Sequence, residues 1–186
     1  MQPVLLYWQR TGDEELTRLF REWMDAWVDA CAREDRGKPA GVMPNALEWP
    51  SGRPGGRGKE WWIPRIYSTK LYHWPNSVSP LLETLVLTWH MTGDEKYLAP
   101  LRSMTALYLD YVENPPETAP PPGSRMWCAA TGGLQAKAAV VKYKFLSGSH
   151  EFDRFLEQAG AGGAYARYRL TGEMTGLYFP LSLDWL

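Results

Sequence analysis

The chain has 186 residues, enough for one domain with a substantial core, and its 45% hydrophobic and 22% charged residues exclude a wholly disordered chain. Its net charge of −1 argues against general attraction to nucleic acid or to a membrane surface. Ten tryptophans and ten tyrosines are many for this length, and they favour either large packing groups between helices or stacking surfaces for a flat ligand.

The sequence carries few motifs of known chemistry. Cys31 and Cys128 are too few for a disulfide framework, and they assign neither a redox state nor a compartment. We find no long apolar run and no secretory signal, so no membrane partner is predicted. The location is not predicted, and these features fit a soluble protein, which includes a secreted or periplasmic one. The three histidines are isolated and no nucleotide-binding motif is present, so neither a metal nor a cofactor is predicted.

Helices are predicted for most of the chain. Apolar residues at helical spacing predict helices at 3–11 and 14–34, with Asp13 as the N-cap of the second. The same spacing predicts further helices at 79–92, 95–113, 127–146, 149–159 and 163–171. No strand is predicted, and the expected fold class is all-α.

A short motif joins several of these helices, as in Trp89-His-Met-Thr-Gly-Asp-Glu-Lys-Tyr-Leu98. Gly93 suits the left-handed position that ends a helix, and Asp94 can accept backbone N–H bonds at the start of the next. Related motifs surround Gly12, Gly148 and, in part, Gly172, at irregular intervals of 81, 55 and 24 residues. The motif predicts a series of antiparallel helical hairpins.

These corners resemble the hairpins of the (α/α)-toroid proteins that act on carbohydrates: six-hairpin glycosidases, unsaturated uronyl hydrolases and the helical domains of polysaccharide lyases. The resemblance covers residues 5–175 and implies a glycan-binding groove lined by aromatic residues from long loops. A closed ring of this kind is longer than this chain, so we expect one domain over residues 1–186 that forms a partial (α/α) toroid, with an open α-solenoid as the alternative. Both chain ends read as interrupted, which is typical of a fragment or truncated form and leaves open an oligomer or a missing remainder.

The long segment at 35–78 interrupts the helical pattern with many glycines and prolines. Between residues 36 and 75 it has seven basic side chains against two acidic ones, a net charge of +5 in a chain of −1. Such a long connection is generally functional or disordered, and its aromatic residues favour folding onto the helices or onto a ligand. We expect it to attract an anionic partner.

This loop holds all of the candidate site residues. His73, Tyr72, Glu48 and Asn76 are the candidate catalytic groups, because they can move a proton or bind a carboxylate or hydroxyl. The predicted substrate-binding residues supply stacking surfaces or positive charge: Trp49, Trp61, Trp62, Trp74, Arg53 and Arg65. The alternative for His73 and Glu48 is a structural role within an ordered loop.

The resemblance implies a polysaccharide or oligosaccharide as the partner, and the basic loop adds that it can be anionic. A lyase would use Asn76 or an arginine to neutralise the carboxylate of a uronate, with His73 or Tyr72 as base and acid. A hydrolase would need two carboxylates, and Glu48 is the one that we nominate. A non-catalytic helical module that binds glycan or protein is the second hypothesis. Binding of single-stranded nucleic acid fits the loop alone, but no recognisable fold supports it, so nucleic acid is not predicted as a partner.

Overall fold

A computed structural model describes residues 2–63, 73–160 and Gly172, and within them the all-α fold class is confirmed. Seven α-helices and one two-stranded hairpin form in these residues. In chain order they are α1 Gln2–Thr11, α2 Glu14–Ala32, β1 Leu47–Glu48, β2 Arg53–Pro54, α3 Val78–Thr92, α4 Ala99–Glu113, α5 Arg125–Gly132, α6 Lys137–Ser147 and α7 Asp153–Ala159. The helix predicted at 163–171 lies outside the described residues.

The corner motif closes helices as its sequence predicts. Gly93 has a φ of +70°, and its N–H donates to the carbonyl of Trp89 at 2.7 Å. The Thr92 hydroxyl accepts the N–H of Asp94 at 3.2 Å, and the Asp94 carboxylate accepts the N–H of Lys96 at 3.0 Å. The corners at Gly12 and Gly148 have the same geometry. Each glycine has a left-handed backbone, and the hydroxyl of the residue before it accepts the N–H of the residue after it.

The three described hairpins lie side by side in chain order, in two layers. The helices before the corners form one layer, in which α3 packs against α6 and the Trp8 ring of α1 lies 6.0 Å from the His90 ring of α3. The helices after the corners form the other, in which α4 packs against α2 and α7. This order is common to toroids and solenoids, and it places equivalent helices next to each other.

Polar contacts join neighbouring hairpins at their corners. The Tyr97 hydroxyl donates to Asp25 Oδ1 of the first hairpin at 2.8 Å. The Arg102 guanidinium binds Glu95 of its own hairpin and Glu151 of the next, each at 2.6 Å. Hydrogen bonding by Arg102 lowers the pKa of Glu95, so this exposed pair favours the ionised carboxylate. The contacts fix the lateral register of the hairpins more than they stabilise the fold.

The predicted helix at 127–146 is broken in the structure, because Gly132 and Gly133 separate α5 from α6 through a short 3₁₀ turn. A Cβ atom on Gly133 would lie 2.8 Å from Cβ of Tyr108, so the glycine permits close approach of α4. The small hairpin of β1 and β2 was not predicted, since two-residue strands carry almost no alternating pattern.

Candidate functional site

Two tight turns form the exposed part of the long loop. Leu47 pairs with Pro54 and Glu48 with Arg53 in the antiparallel hairpin, which leaves residues 49–52 as the first turn. Trp49 in this turn is 95% exposed, the highest exposure among the large apolar side chains of the described residues. Residues 57–60 form the second turn, closed by reciprocal backbone bonds of 3.1 and 3.0 Å between its end residues.

Arg36 joins the two turns. Its guanidinium binds Glu48 Oε1 of the first turn's stem at 2.6 Å and donates to the carbonyl of Gly56, beside the second turn, at 3.2 Å. Arg36 itself has a left-handed backbone with φ +60°, which costs a non-glycine residue about 1 kcal/mol. These side-chain contacts offset that cost and hold both turns on one loop surface.

Basic side chains outnumber acidic ones among the exposed charges of the two turns. Arg53, Arg57 and Lys59 are exposed and form no ion pair with any other described residue, while Glu60 is the acidic side chain of the second turn. We call Trp49 and these three basic residues the Trp49 surface. An open cleft of about 630 Å³ adjoins it, lined by Arg33, Glu34, Asp35, Ser51 and Arg53.

Among the candidate catalytic residues, Glu48 is engaged by the Arg36 ion pair, which agrees with the structural alternative for this residue. His73 and Asn76 lie in one turn before α3, where the carbonyl of His73 accepts the N–H of Asn76 at 2.9 Å. The His73 side chain is half-buried and Asn76 is exposed. Tyr72 and Arg65 lie outside the described residues, and the catalytic assignments stay predictions.

The other loop tryptophans anchor the loop to the helices. Trp61 and Trp74 are buried and Trp62 is half-buried. The Trp74 ring stacks on Trp127 of α5 with centroids 5.1 Å apart, and its indole N–H donates to the carbonyl of Met43 at 2.8 Å. A stacking role toward substrate stays a prediction for these three residues, whereas Trp49 has its ring open to solvent.

Lys38, a fully buried side chain at the base of the loop, was not predicted from the sequence. Its ammonium donates to the carbonyls of Cys31 and Pro39 at 2.9 Å and of Val42 at 2.8 Å. Burial lowers the pKa of Lys38 to about 8, although three carbonyl acceptors favour the protonated form. No motif identifies such a lysine, because its partners are backbone atoms.

Cys31 and Cys128 are buried near Lys38, and burial raises the pKa of each thiol to about 12. Both thiols are therefore protonated at neutral pH and are poor nucleophiles. Within residues 2–63 and 73–160, no group of three or more potential ligands could hold a metal ion. No helix in the same part of the chain is long and apolar enough to cross a membrane.

Comparisons with protein-family models, with curated proteins and with solved structures found no match for this chain. The loop surface is therefore the main guide to function. It combines an exposed indole, three exposed cations and a guanidinium that holds their turns together.

Proposed function

We propose that this protein binds an anionic polysaccharide or oligosaccharide through the Trp49 surface. The observation that carries the proposal is the 95% exposure of Trp49 in a turn held by Arg36. An indole presents a flat apolar face, which suits the apolar face of a sugar ring. A fixed turn suits binding because little conformational freedom remains to be lost when the ligand docks.

The size of the indole gives the expected contribution. An aromatic side chain buries about 150–250 Å², and each Å² removed from water contributes roughly 25 cal/mol. A sugar covering one face of Trp49 would bury about half of that area, which corresponds to about 2 kcal/mol. That is about a 30-fold change in the dissociation constant, large enough to measure with a single substitution.

The charges around Trp49 favour an acidic ligand. Arg53, Arg57 and Lys59 have no described acidic partner, so a carboxylate or sulfate can approach them without breaking an ion pair. Exposed charges act over a Debye length of about 8–10 Å at physiological salt. Affinity should therefore fall as salt rises, and a neutral polymer should bind less well than an anionic one of similar length.

The hairpin array agrees with the resemblance to (α/α)-toroid carbohydrate-active proteins, which we extend to this chain as part of the same proposal. Binding without catalysis is the better supported form of the proposal. Glu48 is the nominated catalytic carboxylate, and its ion pair with Arg36 gives it a structural role in the loop. Elimination by His73 and Tyr72, or hydrolysis through Glu48 and a second carboxylate, remains the enzymatic form of the proposal.

The test compares the affinity of wild-type protein and Trp49→Ala for a polyuronate, a sulfated polysaccharide and a neutral glucan. We expect anionic polymers to bind best and Trp49→Ala to weaken binding about 30-fold. Phe145→Ala is the matched control, since Phe145 is an exposed aromatic residue on α6, outside the loop. Equal affinity of wild type and Trp49→Ala, or a preference for the neutral polymer, would refute the proposal.

The same incubations distinguish binding from catalysis. New reducing ends with the absorbance of a new C=C bond would indicate a lyase, and reducing ends without it a hydrolase. Binding with neither product would support the non-catalytic form.

A further inference from the structure

The open cleft beside the Trp49 surface is lined by polar residues. Its volume is about 630 Å³, within the range of about 300–1,000 Å³ that is usual for small-molecule sites. Its lining comes from two places in the chain: Arg33, Glu34 and Asp35, which follow α2, and Ser51 and Arg53, in or next to the first turn. Ser51 lies two residues after Trp49, so their Cα atoms are at most about 7 Å apart. The first turn therefore carries both the exposed indole and one wall of the cleft.

Arg33 is held in place in this lining. Its Nη2 binds Asp29 Oδ2 of α2 at 2.9 Å, and its Nη1 lies 3.8 Å from Asp35 Oδ2. The same Nη1 lies 3.5 Å from the carbonyl oxygen of Ser51, across from the end of α2. Arg33 is half-buried, so part of its guanidinium faces the cleft solvent. A donor that is already fixed loses little conformational freedom when a ligand binds.

The charges that line the cleft cancel. Arg33 and Arg53 carry two positive charges, and Glu34 and Asp35 carry two negative ones. Glu34 is exposed and forms no ion pair with any other described residue, so its carboxylate is open to a ligand. The charged residues of the Trp49 surface, by contrast, are all basic. The two neighbouring surfaces therefore differ in the ligand charge that they favour.

A neutral sugar unit matches the lining of the cleft. A sugar hydroxyl both donates and accepts hydrogen bonds, whereas a carboxylate only accepts them and a guanidinium only donates them. Glu34 can therefore accept from one hydroxyl while Arg33 donates to another, and such bonds to charged groups are stronger than those between neutral groups. An acidic sugar unit would instead bring its carboxylate close to Glu34 and Asp35, and these like charges repel.

We propose that the cleft is a second sugar subsite, which takes a neutral unit next to the acidic unit at the Trp49 surface. The subsite rests on the proposed function, and it narrows the ligand to an oligosaccharide in which acidic and neutral units are neighbours. The short separation of Trp49 and Ser51 lets two consecutive units of one chain occupy both subsites. Because the two units are linked, each contact adds to the affinity of the other.

Two tetrasaccharides with the same linkages test the proposal: one of alternating glucuronate and glucose, and one of glucuronate alone. Titration calorimetry of the full chain at physiological salt gives the dissociation constant for each. Wild type should bind the alternating ligand about fivefold more tightly, the value of one additional hydrogen bond. This preference would oppose the long-range attraction of the basic loop, because the alternating ligand has half the negative charge.

The variant Glu34→Ala gives a result whose sign separates two roles of this carboxylate. If Glu34 accepts sugar hydroxyls, the variant should bind the alternating ligand about fivefold more weakly than wild type. If Glu34 is only a negative charge near an anion site, the variant should bind both ligands more tightly. Glu157→Ala is the matched control and should bind as wild type does, because Glu157 is an exposed glutamate on α7 with no ion pair to any other described residue.

The variant Trp49→Ala distinguishes failure of the cleft subsite from failure of the proposed function. If it binds both ligands as tightly as wild type, glycan binding at the Trp49 surface is refuted, and the subsite with it. If Trp49→Ala weakens binding while Glu34→Ala leaves it unchanged or strengthens it, only the subsite is overturned. A wild-type preference for the all-glucuronate ligand would also overturn the subsite alone.

Discussion

The packing of Trp74 against α5 gives a sharp prediction for Gly132. A Cβ atom on Gly132 would lie 2.4 Å from Cη2 and 2.6 Å from Cζ2 of Trp74, which is closer than real Cβ atoms approach. Gly132→Ala must therefore move the indole ring or the helix. We expect this one methyl group to disturb the contact that anchors the long loop.

The expected magnitude follows from two opposing terms. Overpacking a close contact costs about 1–3 kcal/mol, and replacing glycine by alanine in a helix recovers up to about 1 kcal/mol. The net loss in unfolding free energy should be about 1–2 kcal/mol. In a Trp74→Phe background the outer half of the indole is absent, so the same Gly132→Ala change should be neutral or stabilising by up to about 1 kcal/mol.

Urea unfolding followed by far-ultraviolet circular dichroism measures all four members of this double-mutant cycle. We expect a coupling energy of about 2 kcal/mol, which corresponds to a difference of about 4–8 °C in melting temperature. Ala130→Gly, at an exposed position of α5, measures the helix term without the steric contact. Additive effects within about 0.5 kcal/mol would show that Trp74 does not lie against Gly132.

Two further predictions concern the base of the loop. The pKa of Lys38 is about 8 in the folded chain and about 10.5 in the unfolded chain. Between these two pH values the unfolded state binds one more proton than the folded state, so the unfolding free energy should rise with pH. From pH 9 to 12 the thiols of Cys31 and Cys128 stay protonated in the folded chain but lose their protons in the unfolded chain. The folded state then binds up to two more protons at the thiols, against one fewer at Lys38, so the unfolding free energy should fall as pH rises. Urea titrations should thus find a maximum near pH 9, and a steady fall from pH 8 would contradict the buried lysine. Arg36→Met and Arg36→Gly should both increase proteolysis within residues 47–60, because both lose the bond to Glu48. The glycine variant should be about 1 kcal/mol more stable to urea, because glycine adopts the left-handed backbone without strain, and equal stabilities would contradict that assignment.

The helical corners could be predicted from sequence because their signals are local. Gly93 and Asp94 act within one turn of chain, so their types and spacing determine the backbone and its hydrogen bonds. The break at Gly132 was less predictable, since helical spacing continues across it. Its cause is a close approach to neighbouring groups, which depends on tertiary packing.

The loop shows the same division between local and distant causes. Its aromatic content predicted that it would fold onto the helices or onto a ligand, and Trp74 does pack against α5. Sequence alone could not divide the tryptophans into anchors such as Trp61 and an exposed group such as Trp49. Nor could it find Lys38, whose carbonyl partners come together only when the loop returns to the end of α2.

The unequal environments of the indoles give the chain an internal optical reporter. Trp49 is surrounded by water, whereas Trp61, Trp74 and Trp127 form a packed cluster with neighbouring ring centroids 5.5 and 5.1 Å apart. Among the described tryptophans, emission at the long-wavelength edge should therefore come from Trp49 and, to a smaller extent, from Trp23, which is 48% exposed, and it should be open to dissolved quenchers. Because Arg53 concentrates anions beside it, iodide should quench that emission more strongly than caesium, and an acidic sugar bound there should remove the difference.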